Sequence, residues 1–306
     1  MKDIIVLCLL VFVAGASAQC TCKHMKWATC DGTPCKCTVM VGEAEKQELD
    51  CEKLIPKCYL MQAEMYRARN NLSTRSITGK PVETAIVDND GIYDPECENN
   101  GTFKAVQCNG TETCWCVNSA GVRRSDKGDK NIKCEPVETY WVRLELKHKD
   151  NGKSSPDVES LKTGIKEVLS SRYGLPGSFV SDVKYDPEAR LIVVDLKKEK
   201  GTPTPDLPRT AYYMEKDVKA LPLFKSQDPL LVNAAGNAVQ VEGILVYYVD
   251  EKAPTMTMQK LTGGVIAVIV VVILVVLVGL IVLFFARKRE QKAYSKTQVR
   301  EMETMS

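Results

Sequence analysis

The hydrophobic pattern changes period along the chain, and each change predicts a different element. From Val265 to Ala286, 22 consecutive residues are uncharged and mostly apolar, and thirteen of them are Val or Ile. At ~1.5 Å rise per residue, a helix of that length reaches about 33 Å, enough for a hydrocarbon core of roughly 30 Å. In lipid such a helix pairs its backbone groups internally, which outweighs the weak helix preference of β-branched side chains. Arg287-Lys288-Arg289 follows directly, the mark of a cytoplasmic flank. At the other end, Lys2 precedes the apolar run Ile4 to Val13, and Ala16-Ser17-Ala18 has the small-x-small form of a cleavage site. Residues 1–18 are therefore expected to be a signal peptide, with the mature chain beginning at Gln19. Together the ends predict a type I single-pass membrane protein, with residues 19–264 outside the cell and 287–306 inside.

Between 135 and 249 the pattern is that of an ordinary α+β domain. Val142, Leu144 and Leu146 alternate with Arg143, Glu145 and Lys147, which predicts a strand with one wet face. Ser155-Pro156 reads as an N-cap with Pro at the first helical position. Val158, Leu161, Ile165, Val168 and Leu169 then share a helical face, and Gly174 stands near its stop. Two strands, Phe179 to Tyr185 and Arg190 to Lys197, are joined through Asp186-Pro187-Glu188. Lys198 to Pro208 is a polar, Pro-containing loop, and Arg209 to Ala220 predicts a second helix with a thin apolar face. Gly243 to Val249 is a final strand. Strands with short turns, plus helices to cover one face, predict an antiparallel sheet in an α+β layer domain. Residues 250–264 read as a flexible juxtamembrane stalk, and the charged tail 287–306 as disordered, with its basic start near anionic headgroups.

Cysteine usage changes the picture of the N-terminal half. Of 13 cysteines, Cys8 falls in the signal peptide and the other 12 lie between Cys20 and Cys134. An even number in a secreted segment argues for disulfides. The first block, residues 19–53, holds Cys20, Cys22, Cys30, Cys35, Cys37 and Cys51, among them two Cys-x-Cys pairs. Zinc is the alternative, but only His24 stands nearby as a further ligand and the spacing lacks Cys-x2-Cys regularity. Six cysteines allow 15 pairings, so spacing leaves the connectivity open. So short a block buries little apolar surface, and its bridges are its main support. The second block, residues 54–134, starts with a helical stretch, Leu54 to Arg69, on which Cys58, Met61, Met65 and Ala68 recur at helical spacing. A polar loop, Asn70 to Lys80, and a turn at Asp88-Asn89-Asp90-Gly91 follow.

The order Cys58, Cys97, Gln107-Cys108, Cys114-Trp115-Cys116-Val117 and Cys134 resembles the thyroglobulin type-1 repeat. That resemblance implies the pairs Cys58–Cys97, Cys108–Cys114 and Cys116–Cys134, with Trp115 read as core packing against two bridges. It also raises an alternative function, a membrane-tethered inhibitor of cysteine cathepsins, since some such repeats wedge into their active-site cleft.

The whole layout, from signal peptide through a six-cysteine domain, one thyroglobulin repeat, a cysteine-free domain, one span and a short basic tail, resembles the epithelial cell adhesion molecule family. Local strings carry the likeness further, among them Tyr93-Asp94-Pro95, Gly121-Val122-Arg123-Arg124, Glu215-Lys216-Asp217-Val218-Lys219 and Tyr247-Tyr248-Val249-Asp250-Glu251-Lys252. The resemblance implies first-block pairs Cys20–Cys35, Cys22–Cys51 and Cys30–Cys37. It implies a homodimer in cis, in which the thyroglobulin loop, roughly Arg69 to Lys80, docks on the C-terminal domain of its partner. It further implies lateral association with claudins at epithelial cell junctions of the plasma membrane. Shedding in the stalk and cleavage within the span would then release the tail for signalling. The loop lacks the Arg-Arg pair of the family's clipping site.

The sequons Asn71-Leu72-Ser73, Asn100-Gly101-Thr102 and Asn109-Gly110-Thr111 make Asn71, Asn100 and Asn109 expected glycosylation sites. Gly263 and Ala267 form one small-x3-small spacing at the start of the span. The chain has two histidines, His24 and His148, and neither sits in a catalytic string, so no enzyme and no cofactor are expected. Basic and acidic residues of the external part balance to one net negative charge, which gives no footprint of nucleic-acid binding.

Overall fold

The computed structural model describes residues 20, 22, 24–72, 93–150, 152, 155–219, 223–226, 228–256 and 263–304. The expected signal peptide, the thyroglobulin loop beyond Leu72 and the turn at Asp88 to Gly91 lie outside the described residues.

The first block is a three-stranded antiparallel sheet of β1 (Thr29–Asp31), β2 (Lys36–Met40) and β3 (Lys46–Leu49), in sequence order. Met25, Val39 and Val41 are its buried apolar side chains. The second block opens with α1 (Lys57–Arg69) and holds a short hairpin, β4 (Val106–Cys108) against β5 (Cys114–Cys116). Gln107 is fully buried and fully employed there. Its amide nitrogen donates to Glu96 O and Lys104 O at 2.9 and 2.8 Å, and its oxygen accepts from Glu96 N at 2.7 Å. Trp115 is half-buried and packs against the core, as read, with its ring edge-on to Tyr93 at 6.0 Å.

The cysteine-free block runs β6 (Thr139–His148), α2 (Val158–Tyr173), β7 (Val180–Asp186), β8 (Leu191–Lys197), α3 (Leu207–Lys219), β9 (Leu231–Ala234) and β10 (Asn237–Asp250). Its strands form one antiparallel sheet in the order β7-β8-β6-β10-β9. The alternation along β6 works as read: Val142, Leu144 and Leu146 are buried, and α2 and α3 pack on that side of the sheet. The N-cap of α2 is Asp157, not Ser155. Its Oδ1 accepts the Ser160 N–H at 2.9 Å, a bond a hydroxyl two residues further out does not make. Gly174 ends the helix at φ 64°, a conformation glycine adopts without steric cost.

α2 crosses β9 so closely that a Cβ on Gly164 would lie 2.1 Å from the Asn233 carbonyl oxygen. Backbone cannot yield there as a side chain would. Gly164→Ala is expected to lose about 1–3 kcal/mol by overpacking, despite its better helix propensity. Thermal unfolding measures it, and an unchanged midpoint would mean the helix shifts freely.

Three further expectations are corrected. α3 buries far more than a thin apolar face: ten of its residues are buried, among them Thr210, Glu215, Lys216 and Asp217, because the sheet covers one side and the first two blocks cover the other. The stalk does not begin at Asp250, because residues up to Thr255 belong to the same compact unit as the three blocks. The tail is not disordered, since α4 (Gly263–Thr304) continues through it. That stretch carries neither Gly nor Pro and is rich in good helix formers. Within α4, Ala267–Phe285 has mean hydropathy 3.8, the one described helix long and apolar enough to cross a membrane.

Candidate functional site

Two places concentrate chemistry. The first is the junction where α1 meets α3. Glu64 accepts from Lys216 Nζ at 2.8 Å and from the Tyr212 hydroxyl at 2.8 Å, and both charged side chains are almost wholly buried. Two turns earlier on α1, Lys57 Nζ donates to Ala120 O at 2.8 Å and lies 4.6 Å from the centre of the Tyr248 ring. Burial pushes the Lys57 ammonium down to about 8, against the pull of Glu215 and Asp206. Further along α3, Asp217 accepts from Arg172 Nε at 2.9 Å and from the Tyr173 hydroxyl at 2.7 Å. Burial raises its pKa despite both bonds. These groups bind element to element and leave no nucleophile beside a free base.

The second place is the sheet face opposite the helices. Register sets its side chains in rows: Val249, Trp141 and Lys197; then Tyr247, Arg143 and Asp195; then Leu245, Glu145 and Val193. Asp195 anchors it. Arg143 grips its carboxylate with two N–H bonds at 2.8 and 2.9 Å, and the Trp141 indole donates at 3.1 Å. The Arg143 bonds hold the Asp195 carboxyl below its ordinary range. Lys197 Nζ stands 4.2 Å over the Trp141 ring. Around this, Trp141, Val193, Leu245 and Val249 are half-buried, and Tyr247 is 37% exposed. A half-open apolar centre ringed by fixed charges is the anatomy of a protein contact surface. Sequence reading marked the wet face of β6 but not the rows, because register is a property of paired strands.

The expected covalent sites are distributed as follows. The second-block bridges are Cys58–Cys97, Cys108–Cys114 and Cys116–Cys134, the pairs that the thyroglobulin likeness implies. In the first block Cys20–Cys35 agrees, but Cys22–Cys30 and Cys37–Cys51 replace the expected Cys22–Cys51 and Cys30–Cys37. Crowding is the physical reason. Cys22 Sγ lies 2.9 Å from Cys37 Sγ, Cys37 Sγ lies 3.9 Å from Cys30 Sγ, and Cys30 faces Cys37 across the β1–β2 ladder. The two connectivities differ by an exchange of partners among Cys22, Cys30, Cys37 and Cys51. Bridged in this way, the sulfurs offer a metal no thiolate.

Asn71, Asn100 and Asn109 are all exposed, though Ser73 of the first sequon lies outside the described residues. His148 is buried, with its ring nitrogens against Tyr185 Oη at 3.0 Å and Lys149 O at 2.8 Å. The ring of His24 stands edge-on to Phe224.

Comparison with known proteins places this architecture. The family model described as EPCAM/Trop-2, C-terminal, matches residues 139–250, and that of the thyroglobulin type-1 repeat matches 65–134. The epithelial cell adhesion molecule of Bos taurus is 45% identical over 302 residues, covering 96% of this chain and 92% of that protein. That of Mus musculus is 42% identical over 95% of this chain and 91% of its own length. Tumor-associated calcium signal transducer 2 of Mus musculus is 40% identical over 83% of this chain and 79% of its own length. With likeness running through all three external blocks and the apolar helix, the chain belongs to the EPCAM/Trop-2 family of epithelial adhesion molecules and signal transducers.

Proposed function

We propose that the chain is an epithelial cell-surface adhesion and signalling glycoprotein that acts as a cis dimer. Each copy receives on its open sheet face the loop Arg69 to Lys80 of the other. The observation that carries this reading is the face itself, with Trp141, Val193, Leu245 and Val249 half-buried and Tyr247 exposed between paired charges. A lone molecule gains nothing from keeping such a patch in water, whereas a partner that covers it removes apolar area from solvent. Claudins, by family likeness, are the lateral neighbours at cell junctions. Shedding beyond the external domains, then cleavage within the span, releases the tail 287–306. The β-branched run supports the last step, because such side chains weaken helix preference.

Cross-linking with mass spectrometry on intact cells tests the dimer, with two isotopically distinct pools of the full chain to tell copies apart. Links from Lys147, Lys184 or Lys197 to the loop of another copy are expected. Leu245→Arg is expected to weaken association about tenfold or more, by placing a charge at the centre of the face. Unfolding stability should stay nearly the same, because the side chain lies on the wet side. Inter-copy links that persist unchanged in this variant would remove the reading.

A further inference from the structure

A groove of about 250 Å³ lies where the external blocks meet, bounded by Gln47 to Asp50 along and just past β3, the stretch Lys53 to Pro56 before α1, and Arg209 of α3. Asn99 and Asn100 line it as well, and Asn100 opens a sequon. The turn that carries this sequon is rigid. Asn100 Oδ1 accepts from the Thr102 amide at 3.0 Å and from the Thr102 hydroxyl at 2.7 Å. Gly101 sits at φ +82°, and a Cβ there would lie 2.4 Å from Pro56 Cβ and 2.9 Å from Tyr59 Cε2. The sequon is thus seated on the start of α1, and whatever grows from Asn100 starts beside the groove.

We propose that Asn100 carries an N-glycan whose first N-acetylglucosamine lies in this groove, joining the first cysteine block to the thyroglobulin repeat and to α3. In the transfer, Asn100 Nδ2 bonds to C1 of the sugar and the bond from C1 to a lipid pyrophosphate breaks. The proton lost by nitrogen leaves with the departing pyrophosphate.

The lining suits a sugar. Gln47, Glu48 and Asn99 offer polar groups, while Leu49 and Pro56 offer apolar surface for the flat side of the ring. Arg209 donates from Nη1 to Leu54 O at 3.2 Å, but its Nε is buried with no hydrogen-bond partner among the described residues. Because the sugar is tethered at the edge of the groove, its effective concentration is high and a weak contact suffices. Asn109 is the internal contrast. Thr111 makes the same turn with it, but a Cβ on Gly110 would meet nothing within 4 Å, so that sequon stands away from the fold.

Hydrogen exchange on the full chain tests the proposal, in protein purified in detergent from cells that make only oligomannose glycans. Protection of residues 47–53 is expected to survive trimming by an endoglycosidase that leaves one N-acetylglucosamine. Two forms lacking the sugar should exchange there about fivefold faster. One is the variant Thr102→Ala. The other is wild-type protein treated with peptide N-glycosidase, which keeps Thr102 and turns the attachment Asn into Asp. Thr111→Ala, which removes the Asn109 glycan, should leave these residues unchanged. Peptide mass spectrometry that finds Asn100 bare would overturn the proposal. So would enzymatic deglycosylation that leaves the exchange of 47–53 as it was.

Discussion

Replacing Glu64 with alanine is expected to cost about 3–5 kcal/mol of folding stability, the range found when one partner of a buried ion pair is removed. The carboxylate of Glu64 is the common acceptor for Lys216 and the Tyr212 hydroxyl, at 2.8 Å each, and the charged side chains are 1% and 5% exposed. Without it an ammonium stays buried with no counter-charge at bonding distance, and a phenol loses its acceptor. Lys57, a second buried ammonium in this junction, already holds its proton less tightly because of burial, so another uncompensated charge nearby adds to the strain. The companion variant separates desolvation from packing. Glu64→Leu combined with Lys216→Met removes both charges and keeps apolar volume, and it is expected to recover most of the loss. Denaturant unfolding followed by tryptophan fluorescence is the measurement. The three tryptophans serve it well, because Trp27, Trp115 and Trp141 fall one in each external block. A loss under about 1 kcal/mol would mean that water reaches this pair and that the blocks are joined by something else.

The same pair shows where reading the sequence stopped short. Glu215, Lys216 and Asp217 form a run that reads as solvated surface, and along an isolated helix it would be. They are buried because α3 lies between the sheet and α1, and the acceptor for Lys216 stands 152 residues away. No local window contains that information. β9 was missed for a local reason. The hairpin from Ala234 to Asn237 turns through Ala235 at φ 49° and Gly236 at φ 82°. Positive φ at both central residues is what a two-residue hairpin needs, but Ala-Gly lacks the Asn or Asp that normally announces it. What was legible was periodic. Alternation gave β6 and β8, helical spacing gave α1 and α2, and an uncharged run gave the span. The open sheet face was half legible, since period two says which side chains of one strand are wet but not which lie side by side.

Arg124→Ala is the second large effect expected, and it tests the proposed release of the external domains from the membrane. Arg124 is 7% exposed and its guanidinium pairs with Asp250 at 2.8 Å, with side chains 9% and 12% exposed. It also donates to the Lys252 carbonyl, and its own carbonyl accepts the Thr255 N–H at 2.9 Å. One residue of the thyroglobulin repeat therefore holds the chain at three points as it leaves β10. Asp250 keeps hydrogen bonds from Asn118 at 2.8 Å and Thr139 at 2.8 Å, so the loss is set at the lower end, about 3 kcal/mol. Lys252 with Glu135 is the control. That pair is close at 2.7 Å but exposed, so Lys252→Ala should change little. If cleavage follows access to residues beyond Thr255, Arg124→Ala will free Glu251 to Thr255 and raise the rate at which cells release soluble external domains, while Lys252→Ala will not. Equal release from the two variants, with Arg124→Ala less stable, would show that the strap holds the fold together without governing access to the stalk.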